Sequence, residues 1–119
     1  MNSPLRLLLQ KKLVSDFKLT DLGGGKFALS GDVSFRTAES VLRASNGMFD
    51  HGGEVQVDLS QVSQTDSAGM ALMLEWLSRA NNAGGQLRFA GVPEKIKAIA
   101  VTAEIDDFLE KSQLTASGD

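Results

Sequence analysis

Hydrophobic residues along the chain follow two different spacings, one typical of strands and the other typical of helices. In residues 54–60 and 86–90 apolar side chains alternate with polar ones, which predicts strands with one buried face. In residues 67–82 apolar side chains recur every three or four positions, which predicts an amphipathic helix. Two further strands are predicted near residues 15–21 and 26–31, joined by a turn at successive glycines.

Two more helices complete the predicted order of elements. One is predicted near residues 37–49, and the other begins at Pro93, a residue suited to the first turn of a helix. After it, Ile105, Phe108 and Leu109 are expected to close the core. Because strands alternate with helices, the sequence predicts an α/β fold, a single domain in which helices pack on a mixed four- to five-stranded sheet.

The domain is expected to span residues 15–112, between an N-terminal arm at residues 1–14 and a small polar tail at residues 113–119. The arm has leucines at helical spacing with basic residues among them, namely Leu5, Leu8, Leu9 and Leu13 with Arg6, Lys11 and Lys12. Two interpretations of the arm stay open. It packs on the domain or frays, or it forms a short basic amphipathic helix suited to a membrane surface.

Composition narrows the classes of function. At 119 residues and 42% hydrophobic content the chain can bury a core without disulfides, and it contains no cysteine. Its net charge of -3 provides no basic surface for nucleic acid, and no apolar run approaches the roughly 20 residues that span a bilayer. We therefore expect a cytoplasmic protein that meets a membrane only through a partner.

Catalytic and metal-binding chemistry has little support in the sequence. A nucleophilic serine needs a base within hydrogen-bond reach, and the only histidine, His51, falls in a glycine-containing loop between a helix and a strand. The shortage of histidine and cysteine disfavours zinc, and the carboxylates show no spacing that marks an oxygen-ligand cage. We expect no enzyme activity, no metal and no cofactor.

The start of the helix at residues 67–82 is the candidate functional site, because its outer face turns small and apolar there. With 100° between successive residues, Ala68, Ala71 and Leu72 are placed on that outer face, beside Ser67. A contiguous apolar patch at a helix start is typical of a partner surface, and the alternative is that a neighbouring loop covers it. The predicted partner surface consists of Asp66, Ser67, Ala68, Ala71, Leu72 and Glu75.

Ser67 itself has three possible roles at this stage. A hydroxyl in the first turn of a helix can cap free backbone N–H groups, contact a partner, or accept a phosphate. A phosphate on Ser67 would be favoured by the helix N-terminus and repelled by the carboxylate of Asp66. All three roles stay open from the residues alone.

Several segments together resemble the STAS domain family, that of the anti-sigma factor antagonists. They are residues 57–60 (Val-Asp-Leu-Ser), residues 66–69 (Asp-Ser-Ala-Gly), the apolar helix behind them, and residues 85–89 (Gly-Gln-Leu-Arg-Phe). The resemblance implies the STAS fold over about residues 15–110. In antagonists of this family the hydroxyl residue directly after the aspartate is the phosphorylation site, and that position maps onto Ser67.

Within the family, the sequence is more similar to the MlaB-like group, the small STAS subunit of Mla-type phospholipid ABC transporters. The residues that carry this similarity are residues 69–77, followed by Gly85, Leu87, Phe89 and Pro93. The antagonist helix more often continues with residues like Leu-Gly where this chain has Met70 and Ala71. The similarity implies a non-enzymatic cytoplasmic subunit that binds the transporter's ATPase through Ser67 and its neighbours. The alternative is an antagonist that captures an anti-sigma factor serine kinase and is switched by phosphorylation of Ser67.

Overall fold

The structure is a computed structural model, and it describes residues 16–112. Strands and helices alternate along this part of the chain. The strands are β1 (Phe17–Gly23), β2 (Lys26–Val33), β3 (Glu54–Thr65) and β4 (Gln86–Ala90), and the helices are α1 (Ala38–Ala44), α2 (Ser67–Asn82), α3 (Glu94–Thr102) and α4 (Asp106–Lys111). The predicted N-terminal arm and polar tail lie outside the described residues.

Within residues 16–112 the strands form one mixed sheet in the order β1-β2-β3-β4. β1 and β2 are antiparallel and are joined by a tight turn at Gly24 and Gly25, which both have a positive φ. β2 is parallel to β3, and β3 is parallel to β4, so α1 and α2 each lie in a crossover connection. The predicted α/β fold with a mixed sheet is confirmed, and this region contains four of the predicted four to five strands.

β3 is a central strand, because it pairs with a neighbour on both sides. Its residues Val55, Val57 and Leu59 are buried, and the positions between them are polar, as the alternation predicts. The prediction ended this strand at residue 60, whereas the strand continues to Thr65. The extension forms because β3 keeps pairing with β2, as far as Val33 opposite Thr65. It brings the chain directly to the start of α2.

Helix α2 supplies the centre of the core. Trp76 is fully buried, and its Nε1–H donates a hydrogen bond to Oγ of Ser45 at 2.9 Å. The Ser45 hydroxyl in turn donates to the carbonyl oxygen of Leu42 at 2.6 Å, so these buried polar groups are satisfied. The remaining buried residues of α2 are Gly69, Met70, Leu72, Met73 and Ala80, and they pack with Leu29, Val41, Phe89, Ile96 and Leu109.

Gly69 lets the first turn of α2 lie close to the sheet. A Cβ at this position would collide with the hydroxyl of Thr65 and would lie 2.9 Å from the carbonyl oxygen of Val33. Ile96 of α3 closes the third side, with its Cδ1 at 3.4 Å from that Cβ position. The missing side chain therefore permits the contact that fixes α2 against the ends of β2 and β3.

Two predictions about the periphery of the domain are wrong. The helix predicted near residues 37–49 ends at Ala44, and the chain then turns through Gly47, which has a positive φ that a helix does not use. Phe108 was expected in the core, but its side chain is 54% exposed while its neighbour Leu109 is buried. Adjacent residues of a helix point about 100° apart, so α4 can bury only one of this pair.

Candidate functional site

Asp66 organises the turn between β3 and α2. Its backbone is extended, and its Oδ1 accepts a hydrogen bond from the N–H of Ala68 at 2.8 Å, which makes Asp66 the N-cap of α2. Its carbonyl oxygen also accepts a hydrogen bond from the N–H of Gly69 at 3.0 Å. The helix is therefore capped by Asp66, and the capping role that was open for Ser67 belongs to its neighbour.

The second carboxylate oxygen of Asp66 reaches a distant part of the chain. Oδ2 accepts a hydrogen bond at 3.0 Å from the backbone N–H of Phe35, which lies 31 residues earlier in the loop between β2 and α1. The hydrogen bonds from Phe35 and then Ala68 lower the pKa of Asp66 below its ordinary value, and the charge of Lys95 lowers it further. Asp66 is therefore a carboxylate at neutral pH, and it ties this loop to the start of α2.

Ser67 is the first residue of α2, and it is exposed. Ala71 and Glu75 are also exposed, and Ala68 is half-buried. Since residues four positions apart share one face of a helix, Ser67, Ala71 and Glu75 form one accessible strip. The carboxylate of Glu75 is paired with Arg79, with Oε2 and Nε 3.0 Å apart. A partner approaching the helix start would thus meet a hydroxyl and small side chains first.

Leu72 does not belong to this strip, and its predicted place on the outer face is wrong. Its side chain is only 5% exposed and lies in the core with Trp76. On the helix, Leu72 is about 40° from Trp76, so both are on the covered side. The covered arc of α2 is wide because β4, α3 and α1 all pack against this helix.

An open cleft of about 580 Å³ adjoins the start of α2. Its lining includes Phe35, Arg36, Val62, Asp66 and Lys95. Phe35 is 86% exposed, although the hydrogen bond from its backbone to Asp66 holds the loop in place. An exposed aromatic side chain on an anchored loop is well suited to enter a pocket of another protein, because little conformational freedom is lost on binding.

Phe35, Arg36 and Lys95 are site residues that the sequence analysis missed. The guanidinium of Arg36 binds the carboxylates of Asp16 at 3.0 Å and Asp32 at 3.2 Å, and these hydrogen bonds raise the pKa of Arg36. The sequence carries one local signal, a single aromatic residue in a polar segment between a strand and a helix. It carries no signal that this segment contacts Asp66. Phe35 and Asp66 lie in two different crossover connections, so they are brought together only by the tertiary fold.

The arrangement offers an accessible hydroxyl with small side chains beside it. His51 is exposed and precedes β3, whereas Ser67 follows it, so about 40 Å of extended strand separates them.

Among residues 16–112, no group of three histidine or acidic side chains is placed to hold a metal ion. In the same part of the chain no helix combines the length and apolar character needed to cross a bilayer.

The sequence model of a family described as "Mlab, STAS domain" matches residues 21–111. The matched region includes β2, β3, the turn at Asp66 and all of α2, which together carry the features described above. The chain therefore belongs to the STAS domain family, and the STAS resemblance predicted from the sequence is confirmed. The description of the matching model is consistent with the nearer resemblance to the MlaB-like group. No curated protein sequence matches the chain significantly.

Solved structures similar to this one include a protein assigned as an anti-sigma factor antagonist, the antagonist SpoIIAA and a sulfate transporter family protein. A Thermotoga maritima protein assigned as an anti-sigma factor antagonist has 17% identity and a TM-score of 0.64, over 89% of this chain and 92% of that one. The antagonist SpoIIAA in its unphosphorylated form has 11% identity and a TM-score of 0.60, over 85% and 90%. A sulfate transporter family protein from Wolinella succinogenes has 19% identity and a TM-score of 0.55, over 81% and 80%. At these identities the similarity concerns the fold alone.

Proposed function

We propose that this protein is a non-enzymatic cytoplasmic subunit that binds the ATPase of a Mla-type phospholipid ABC transporter and supports its assembly and activity. It would reach the membrane only through that partner. The contact would be made by the start of α2 and the loop tied to it. We call this the docking surface, and it consists of Phe35, Asp66, Ser67, Ala68, Ala71 and Glu75.

The observation that carries the proposal is the placement of Ser67. Its side chain is exposed at the first position of a helix that is already capped by Asp66, so the hydroxyl is left for a partner. In the MlaB-like subunits that the sequence resembles, the hydroxyl at this position lies inside the contact with the ATPase. Ala68 and Ala71 support the proposal, because small side chains beside Ser67 allow a partner to approach closely.

Affinity capture of the full-length protein from native cells tests the class of partner. We expect an ABC ATPase to be recovered without any phosphorylation step. Ser67→Thr should retain the ATPase because the hydroxyl is kept. Ser67→Glu should lose it, because the contact would bury an unpaired carboxylate next to Asp66. The measurements are the amount of co-purified ATPase and its rate of ATP hydrolysis with each variant.

Ser78→Glu is the matched control for Ser67→Glu. Ser78 is an exposed serine on the same helix, about 16 Å along its axis and outside the docking surface, so this variant should keep the partner. Phe35→Ala should weaken capture, whereas Phe108→Ala, which removes another exposed ring, should not. Equal loss of the ATPase in Ser78→Glu and Ser67→Glu would place the contact elsewhere.

A second candidate function is an anti-sigma factor antagonist that is switched by phosphorylation of Ser67. It is supported by the exposed hydroxyl directly after Asp66, the position that is phosphorylated in the antagonists that the sequence resembles. The free form would capture an anti-sigma factor serine kinase, and the phosphorylated form would release it. Recovery of such a kinase would favour this second function, and so would intact-mass detection of one phosphate at Ser67 in much of the cellular protein.

A further inference from the structure

The cleft beside the docking surface lies next to Asp16, the first residue that the structure describes. Asp16 is fixed at its edge, because its carbonyl oxygen accepts the N–H of Asp32 at 2.7 Å and its carboxylate binds Arg36 at 3.0 Å. Asp32 and Arg36 both line the cleft. The residues that precede Asp16 therefore start from the edge of this cleft.

The chemistry of the N-terminal arm is complementary to the domain. In a helix, its leucines Leu5, Leu8, Leu9 and Leu13 would share an apolar face, and the cleft offers Phe35, Val62 and Pro93 as apolar contacts. The arm carries three of the 12 basic residues of the chain and none of its 15 acidic residues. The rest of the chain is therefore more acidic than the whole, and this net charge attracts the basic arm. In the cleft itself the carboxylates of Asp32 and Asp66 are balanced by Arg36 and Lys95, so the lining contributes apolar contacts rather than net charge.

We propose that the N-terminal arm, residues 1–14, docks in this cleft and that a partner must displace it to reach the docking surface. The occupant is thus a segment of the same chain. The regulatory part of this inference rests on the proposed function, since it takes the docking surface as the partner's site. Length sets no obstacle, because 14 residues can extend over as much as about 50 Å and Asp16 already contacts the lining.

Docking of the arm would make it an internal competitor. A partner then binds only the fraction of molecules whose docking surface is uncovered, and its apparent affinity falls by that fraction. The two interactions share Phe35 and Asp66, because both residues line the cleft and belong to the docking surface. Removing the apolar face of the arm should therefore tighten partner binding without touching the partner's own contacts.

Paramagnetic relaxation in the full-length protein tests the docking step without any partner. Because the chain has no cysteine, Gln10→Cys gives a single site for a spin label at a polar position of the arm. We expect strong broadening of the amide signals of Phe35, Val62 and Lys95, and little broadening of Gly24 in the β1–β2 turn. The pair of substitutions Leu8→Glu and Leu9→Glu should remove most of this broadening.

The matched control adds the same charge to the arm at polar positions, with Asn2→Glu and Ser3→Glu. It should leave the broadening at Phe35 largely intact. Uniform weak broadening, or broadening unchanged by Leu8→Glu and Leu9→Glu, would overturn the proposal. The proposal would also be overturned if the labelled arm gave no broadening at Phe35 and instead became immobilised only after vesicles of anionic phospholipid were added. The arm would then bind a membrane surface rather than the cleft.

The competition step is measured by the affinity of the captured ATPase for the same variants. If the arm covers the docking surface in nine molecules of ten, Leu8→Glu with Leu9→Glu should tighten binding about tenfold. Unchanged affinity together with clear docking would overturn the competitive role. Because the relaxation experiment needs no ATPase, failure of arm docking is distinguishable from failure of the proposed function.

Discussion

At the scale of single residues, Asp66 defines the site and leaves Ser67 available. One carboxylate group caps α2 through Ala68 and holds the loop of Phe35, so it joins two segments that are 31 residues apart. Ser67 follows it with an exposed side chain. The aspartate occupies the N-cap position and caps the helix, so the hydroxyl of Ser67 is not needed for capping.

Substitution of Asp66 should destabilise the protein in a pH-dependent way. Asp66→Ala should lower the free energy of unfolding by about 1 kcal/mol, the usual cost of losing an N-cap, and Asp66→Asn should cost less because it keeps an acceptor. Folding lowers the pKa of Asp66 below its ordinary 3.8, so the stabilisation due to its charge is present above that pH. It is lost as the pH falls through the lower folded value.

Urea unfolding at a series of pH values measures this effect. The difference in stability between the parent and Asp66→Asn should be constant near neutral pH and should shrink as the pH falls below about 4. Asp58→Asn is the control, because Asp58 is an exposed carboxylate on β3 outside the docking surface. A difference that grows on acidification would contradict the lowered pKa of Asp66.

At the scale of elements, α2 shows what periodicity predicts well and what it does not. Its bounds at residues 67–82 and the inward direction of Met70, Met73 and Ala80 agree with the sequence pattern. The pattern cannot say how much of the helix circumference is covered, because coverage depends on neighbours that are distant in sequence. Leu72 lies at that margin, and packing of β4, α3 and α1 on the helix buries it.

Two adjacent substitutions on α2 should separate stability from binding. Leu72→Glu places a carboxylate in the core and should lower the free energy of unfolding by several kcal/mol. Ala71→Glu lies on the exposed strip, so it should change stability by less than about 0.5 kcal/mol and yet weaken capture of the ATPase. Thermal melts and co-purification measure both effects. If Leu72→Glu melted at the same temperature as the parent, Leu72 would lie on the outer face of the helix after all.

At the scale of the whole molecule, the order of elements was predictable and the contacts that assemble the site were not. Each strand and helix carries its own hydrophobic period, which is a local property of the sequence. The extension of β3 to Thr65 has no such period, since it arises from pairing with β2. The link between Phe35 and Asp66 likewise depends on the parallel alignment of β2 and β3, which places their ends together.

The strand pairs should form in a definite kinetic order. The β1–β2 hairpin closes through a short turn, whereas both parallel pairs of β3 need a crossover, and closing longer loops costs more chain entropy. We therefore expect Leu19→Ala in the hairpin to slow folding and Leu87→Ala in β4 mainly to speed unfolding. Stopped-flow kinetics in denaturant measure both rates. If Leu87→Ala instead slowed folding and Leu19→Ala mainly sped unfolding, the parallel pairs would nucleate folding.

Because β2 and β3 are parallel, the docking surface is complete only in a correctly folded molecule. Phe35 follows β2 and Asp66 follows β3, so the bond between them can form only when these two strands are in register. A chain still emerging from the ribosome, or one whose strands have slipped, holds the two halves of the surface apart. A partner that needs both halves would therefore select finished molecules and leave incomplete ones to chaperones and proteases.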